Sequence, residues 1–412
     1  MRRRVSRGTI LDPAPRKRAG FMLLALLGSA VPATAKPTDV GDGGVPSFYT
    51  WTGALPDQAG VVLAEEPLPT EFSVATAGKA VRILYTARDG IADKGVVPVS
   101  AALFLPRGAP SKGGWPVMAW AHSTTGIADI CAPSARPRGE RDSRYIASWL
   151  DAGFAVVASD YQGLGTPGIH PYSNYRASSY SLLDSARAIV GTRYGAANAV
   201  VLVGQSQGAG TVVAAAGYAP FYAPDLKLKG VVATGAPNLS RAAIESGLAS
   251  SATDVMVTGA YAMIGYELTR THADLDAGAV FSEEGREIEA MVGSACLPDL
   301  MKAAAARNLD PSKAFRPGML KRLWDTDVEL RSFPTLDLKS PVFFGIGAAD
   351  TAALPMTTLT LVNDLCSRGN VVEAHIYKDK DHSGVVNAAA VDAIAFARAA
   401  IEGRPIAASC RP

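Results

Sequence analysis

Five consecutive residues carry the strongest chemical signal in the chain. Gly204-Gln205-Ser206-Gln207-Gly208 fits the pattern G-x-S-x-G. The pattern gains weight from its setting. It follows the wholly apolar run Val200–Val203 and precedes a small-residue helical stretch at Gly208–Ala216, the strand–turn–helix context in which such a serine is presented on a sharp bend. Flanking glycines suit that bend, because the helix must pass close to the strand with no side chain between them.

A serine hydroxyl is a poor nucleophile unless a base takes its proton and an acid orients the base. The chain has five histidines. Only His375 and His382 follow an acidic residue at a strand end. His375 alternates with Glu373 and Tyr377 within a strand and points to a sheet face. His382 lies in Asp379-Lys380-Asp381-His382-Ser383-Gly384, a loop before the last helix from which an imidazole can reach the top of the sheet. Asp350, in Gly347-Ala348-Ala349-Asp350 after the strand Val342–Ile346, is the expected acid. The competing roles are a helix cap for Asp350 and, for Asp379 and Asp381, acids too near His382 in the chain to orient it.

Attack on a carbonyl also needs two backbone N–H groups for the developing oxyanion. One is expected from Gln207. The other is expected from the loop after Val117–Ala121, which reads His122-Ser123-Thr124-Thr125-Gly126, with Thr124 and Thr125 equally placed. His122 is expected to hold that loop rather than titrate.

The elements that must position these groups alternate between short β-rich runs and helical patterns, which predicts an α/β fold with a mostly parallel sheet flanked by helices. Val81–Thr86 and Val97–Leu105 read as an antiparallel pair at the sheet edge, after an extended arm at 36–75. Val117–Ala121, Phe154–Ser159, Val200–Val203, Val231–Thr234, Val342–Ile346 and Val371–Tyr377 read as further strands. Leu182–Val190 and Val385–Ile401 read as helices. Between about 238 and 338 the β/α rhythm lapses into helices, including Asp254–Glu267 and Glu283–Val292. An inserted helical cap is the economical reading.

The sequence resembles the secretory lipase family of α/β-hydrolases. The resemblance rests on Ala121–Gly126 with Cys131-Ala132-Pro133-Ser134, on Asp160-Tyr161-Gln162-Gly163-Leu164-Gly165-Thr166-Pro167-Gly168, and on Gly204–Gly208, Asp350 and His382. The order Ser…Asp…His is that of the α/β-hydrolases. Membership implies a secreted esterase or lipase with a helical cap over an acyl pocket. The family usually has Gly where this chain has Ser123, a departure within the oxyanion loop.

Composition agrees with a folded, exported protein. A 48% hydrophobic and 19% charged chain of 412 residues can bury a large core. Residues 1–35 read as a signal peptide: a leader rich in Arg, an apolar stretch at Phe21–Val31, and Ala33-Thr34-Ala35 before the cleavage point. The hydrolase domain is expected over 36–412. The whole chain holds 40 basic and 38 acidic residues; without the leader's seven and one, 33 and 37 remain. A nucleic-acid partner therefore has no electrostatic support. Destination is secreted or periplasmic, and Cys131, Cys296, Cys366 and Cys410 are expected to form two disulfides. Of three pairings, Cys131–Cys296 with Cys366–Cys410 is favoured, because the latter pins the C-terminal tail to a helix. No Cys/His cluster with metal spacing occurs, and no metal or cofactor is expected.

Together these features predict ester cleavage through an acyl-enzyme. The substrate is a small ester or a lipid, with transient contact to lipid surfaces. The apolar run Asp254–Gly265 offers Met256, Tyr261 and Met263 as pocket residues, although a buried cap helix explains the run equally well. A serine peptidase or amidase is a weaker reading, since no β-propeller or peptide-gating domain is present. A non-catalytic binding scaffold would require a missing triad member.

Overall fold

The computed structural model describes residues 43–247 and 254–410. The expected signal peptide lies outside them. Nine strands form one sheet: β1 (Val62–Pro67), β2 (Lys79–Arg88), β3 (Val96–Leu105), β4 (Trp115–Ala121), β5 (Ala155–Ser159), β6 (Ala196–Gln205), β7 (Leu228–Thr234), β8 (Val342–Gly347) and β9 (Val372–Tyr377). Their order is β1-β2-β3-β5-β4-β6-β7-β8-β9. The β1/β2, β2/β3 and β3/β5 pairs are antiparallel and the remaining five parallel. This is the mostly parallel sheet expected from the alternating pattern, and the α/β-hydrolase arrangement that the family resemblance implies.

Helices cover both faces. Between the strands run α1 (Glu140–Asp151), α2 (Tyr175–Ile189) and α3 (Gln207–Tyr222). Between β7 and β8 the described residues form eight helices: α4 (Arg241–Glu245), α5 (Val255–Thr271), α6 (Ala277–Val280), α7 (Glu283–Glu289), α8 (Leu297–Ala306), α9 (Pro311–Ala314), α10 (Met319–Asp325) and α11 (Val328–Arg331). The chain closes with α12 (Pro355–Ser367), α13 (Gly384–Ala388) and α14 (Ala390–Glu402). Strand β6 shows why the sheet needs two covered faces. Val200 and Leu202 join the core under α2 and α3, while Val201 and Val203 join the core under α1 and α14. All four are fully buried, each contributing roughly 1.5–3 kcal/mol.

Three expectations about elements need correction. The segment read as an extended arm contains β1, so β1, not the β2/β3 pair, forms that sheet edge. Glu65, Glu66 and Pro67 explain the weak signal, since charges and proline blunt an edge strand at the cost of its apolar pattern. Helix α2 starts at Tyr175, seven residues before Leu182. Its serines hide it, because Ser178 and Ser181 donate back to the carbonyls of Asn174 and Ala177, a habit that lowers helix propensity. The closing helix is two helices meeting at Ala389, with Ala389 N donating to Val385 O and Ala393 N to Ala389 O, each at 2.9 Å.

Two disulfides join Cys131 to Cys296 and Cys366 to Cys410. The second fastens the C-terminal tail to α12. The first ties the segment after β4 to the start of α8.

Candidate active site

Ser206 stands between β6 and α3 with φ 57° and ψ −118°. A non-glycine residue held there costs about 1–3 kcal/mol, which the surrounding packing must supply. Gly204 and Gly208 make the bend feasible. A Cβ on Gly204 would lie 2.1 Å from Gly208 O, and one on Gly208 would lie 1.9 Å from Ala121 O. Helix α3 therefore passes against the end of β4, which brings the loop from His122 onward beside Ser206.

His382 and Asp350 come from loops after β9 and β8, which run parallel as neighbours. His382 Nδ1 lies 2.7 Å from Asp350 Oδ2. Asp350 also does what a capping residue does, because Oδ1 accepts from the amides of Ala352 and Ala353 at 2.9 and 2.8 Å. One carboxylate thus both caps the following turn and meets His382. With Nδ1 donating to Asp350, Nε2 is the ring nitrogen left to take a proton. Gln205 Nε2 donates to His382 O at 3.2 Å, and Ala349 N donates to Lys380 O at 3.0 Å, so the two loops brace each other. Gly235 (φ +55°) completes the fit: a Cβ there would sit 3.0 Å from His382 Nδ1 and 3.4 Å from Asp350 Oδ2. Gly235 and Gln205 were not singled out by sequence; a lone glycine after a strand carries too little signal.

The competing residues lie elsewhere. His375, on β9, pairs with Glu373 of the same strand at 3.0 Å and with Asp392 on α14 at 3.4 Å. Asp381 Oδ1 caps α13 through Gly384 N. His122 is buried, with Nδ1 2.6 Å from Ser123 O and Nε2 3.4 Å from Asp160 O. Burial pushes its pKa down to about 4 and keeps it neutral. Asp160 is buried too and pushed up to about 6; it accepts from Ser100 Oγ at 2.7 Å and from Ser134 N at 3.0 Å. These contacts make the Asp160 segment a structural clamp.

Ser206, Gln207 and His382 face one cavity of about 570 Å³, a size suited to a small organic ligand. Thr124 lines it and Thr125 does not; Thr125 O accepts instead from Leu297 N at 2.8 Å. Ser123 Oγ accepts from Arg141 Nη2 at 3.0 Å, and Arg141 also lines the cavity. The roof is α5, α8 and α10, through Tyr261, Ile264, Leu297 and Trp324, and Tyr172 and Tyr175 form a wall. Of the pocket residues expected on α5, Tyr261 lines the cavity. Met263 does not: it is fully buried among the core side chains, since two residues along a helix turn a side chain to the far flank. The Met256 side chain lies outside the described residues.

The secretory lipase family matches residues 139–407. The chain belongs to that family. Its fold is shared with lipase A of Candida antarctica (TM-score 0.68, 19% identity, covering 89% of this chain and 87% of that one). It is shared also with the rice cell wall degrading esterase LipA of Xanthomonas oryzae (TM-score 0.63, 17% identity, covering 84% and 100%). No curated protein matches the chain. Membership of a secretory lipase family makes this an ester hydrolase with a small-molecule ester or lipid as substrate. The family and the two disulfides together mark an extracellular protein. No described helix is long and apolar enough to cross a membrane.

Proposed function

We propose that the chain is an exported serine ester hydrolase, with Ser206 as nucleophile, His382 as base and Asp350 as the acid that orients it. The observation that carries this reading is a serine on a strained strand–helix bend sharing one cavity with a histidine whose other nitrogen meets a buried carboxylate at 2.7 Å. Ser206 Oγ attacks the ester carbonyl as His382 takes its proton. The Gln207 and Thr124 amides bind the oxyanion. His382 then protonates the leaving alcohol, and water repeats the sequence to release the acid. The helical insertion acts as a cap, with Tyr261, Ile264 and Trp324 against the acyl chain. Residues 1–35 act as the signal peptide.

The test is hydrolysis of p-nitrophenyl esters from two to sixteen carbons, by wild type and Ser206→Ala. A loss of roughly 10⁵–10⁶ in kcat with an unchanged melting temperature supports the reading. The optimum chain length separates a carboxylesterase (short) from a triacylglycerol lipase (long). Retained activity in Ser206→Ala sinks the nucleophile assignment.

A further inference from the structure

We propose that Thr124 gives its side-chain hydroxyl, as well as its amide, to the oxyanion, and that Tyr172 is the positioning residue that aims it. The proposal rests on the ester-hydrolase reading above. Thr124 Oγ1 lies 3.0 Å from Tyr172 OH, and both residues line the cavity that holds Ser206. A hydroxyl donates one hydrogen bond and accepts others. When the phenol donates to Thr124 Oγ1, the threonine proton is left to point into the cavity. Accepting from the phenol also polarises that hydroxyl and strengthens it as a donor. Burial raises the Tyr172 pKa, which keeps its proton in place across the working pH range.

The pair is held from outside the nucleophile's elements. Arg331, buried at the end of α11, donates from Nη1 to Tyr172 O at 3.1 Å, from Nη2 to Glu267 Oε2 on α5 at 3.2 Å, and from Nε to Thr326 O at 3.0 Å. On the other flank of Thr124, Thr125 O is held by Leu297 N, and Cys131 is joined to Cys296. The insertion thus holds both partners: Tyr172 through Arg331, and the loop just after Thr124 through Leu297 N and the Cys131–Cys296 bridge. A donor fixed in this way reorganises little when charge develops on the carbonyl oxygen, which is where such a donor helps most.

The experiment uses the full chain and its best p-nitrophenyl ester, with kcat and KM measured separately. An alkylboronic acid, which mimics the tetrahedral intermediate, supplies a second readout. Thr124→Val keeps the amide and loses the hydroxyl. It is expected to lower kcat roughly tenfold to a hundredfold and boronate affinity in parallel, with KM within about twofold. Thr124→Ser restores both to within about threefold of wild type. Tyr172→Phe lowers kcat by a smaller factor, and the double variant Thr124→Val/Tyr172→Phe falls no further than Thr124→Val alone. Wild-type kcat and boronate affinity in Thr124→Val overturn the proposal, as does a Tyr172→Phe loss that adds fully in the double variant. Should Thr124→Val fail to fold, a Tyr172→Phe variant that shifts KM alone is the overturning result. The two failures are separable: an active Ser206→Ala removes the parent reading, whereas an inactive Ser206→Ala beside an unaffected Thr124→Val removes only this one.

Discussion

The loops at the carboxyl ends of β4, β6, β8 and β9 and the insertion between β7 and β8 face each other across one cavity but are built differently. The loops hang from strands whose backbones are fixed by neighbouring strands, so Ser206, Asp350 and His382 inherit the rigidity of the sheet. The described part of the insertion has eight helices, and α6, α9 and α11 have only four residues each. Helices this short do not persist alone. Side-chain caps such as Asp276 on α6 and Asp310 on α9 support them, and Cys131–Cys296 and Arg331 tie the insertion to the rest of the site. The groups proposed to react thus sit on the stiff half, and the residues proposed to meet substrate sit on the half held by a few strong points.

The largest break in this contrast is expected on the stiff half. Asp350→Asn leaves the scaffold intact but presents the wrong hydrogen-bonding partner to His382 Nδ1. A kcat loss of roughly 10⁴ with an unchanged melting curve is expected; a loss under tenfold would mean that His382 is oriented by something else. On the insertion the dominant effect turns to stability. Arg331→Ala leaves Glu267 buried without its partner, and chemical denaturation should register a loss of about 3–5 kcal/mol. A neutral result would show that the insertion does not depend on that anchor. Replacing Cys131 and Cys296 together by serine should cost about 2–4 kcal/mol by the same measurement, and limited proteolysis should cut the insertion before the sheet.

A smaller effect comes from pH. His122 and His170 are buried and held down to about 4, against an unfolded value near 6.5. Between those values the unfolded chain binds protons that the native chain refuses. Their contribution to stability is therefore complete above about pH 6.5 and is lost as pH falls toward 4. Asp160, pushed up to about 6 by burial, works the other way: the native carboxyl takes its proton first, and acidification relieves its burial. Two histidines outweigh one aspartate. Together these three groups contribute a loss of roughly 2–3 kcal/mol from pH 7 to pH 5; the fall in melting temperature over that range should be shallower in His170→Gln than in wild type, and identical slopes would refute it.

Much of the stiff half was legible in the sequence because its signals are local. A four-residue apolar run, a glycine-flanked serine and the chain order of three residues each occupy a short window, and the strands they imply need no knowledge of partners. Even there, β1 and the first two turns of α2 were hidden, since edge charges and helix serines weaken the pattern that sequence reading relies on. The insertion was legible only as helices. Its α5 is apolar on most sides, so periodicity could not tell that Tyr261 meets the cavity while Met263 packs into the core.

By itself, then, the sequence determined the order of the sheet-borne chemistry, the identity of its three residues as candidates, and an even set of cysteines. Tertiary structure alone decided that Asp350 both caps and orients, that Thr124 rather than Thr125 lines the cavity, that Gly235 makes room for His382, and that Arg331 reaches Tyr172 across 159 positions of chain. The physical reason is reach. A strand or a bend is set by the few residues within it, whereas a hydrogen bond between distant loops exists only once every intervening element has packed.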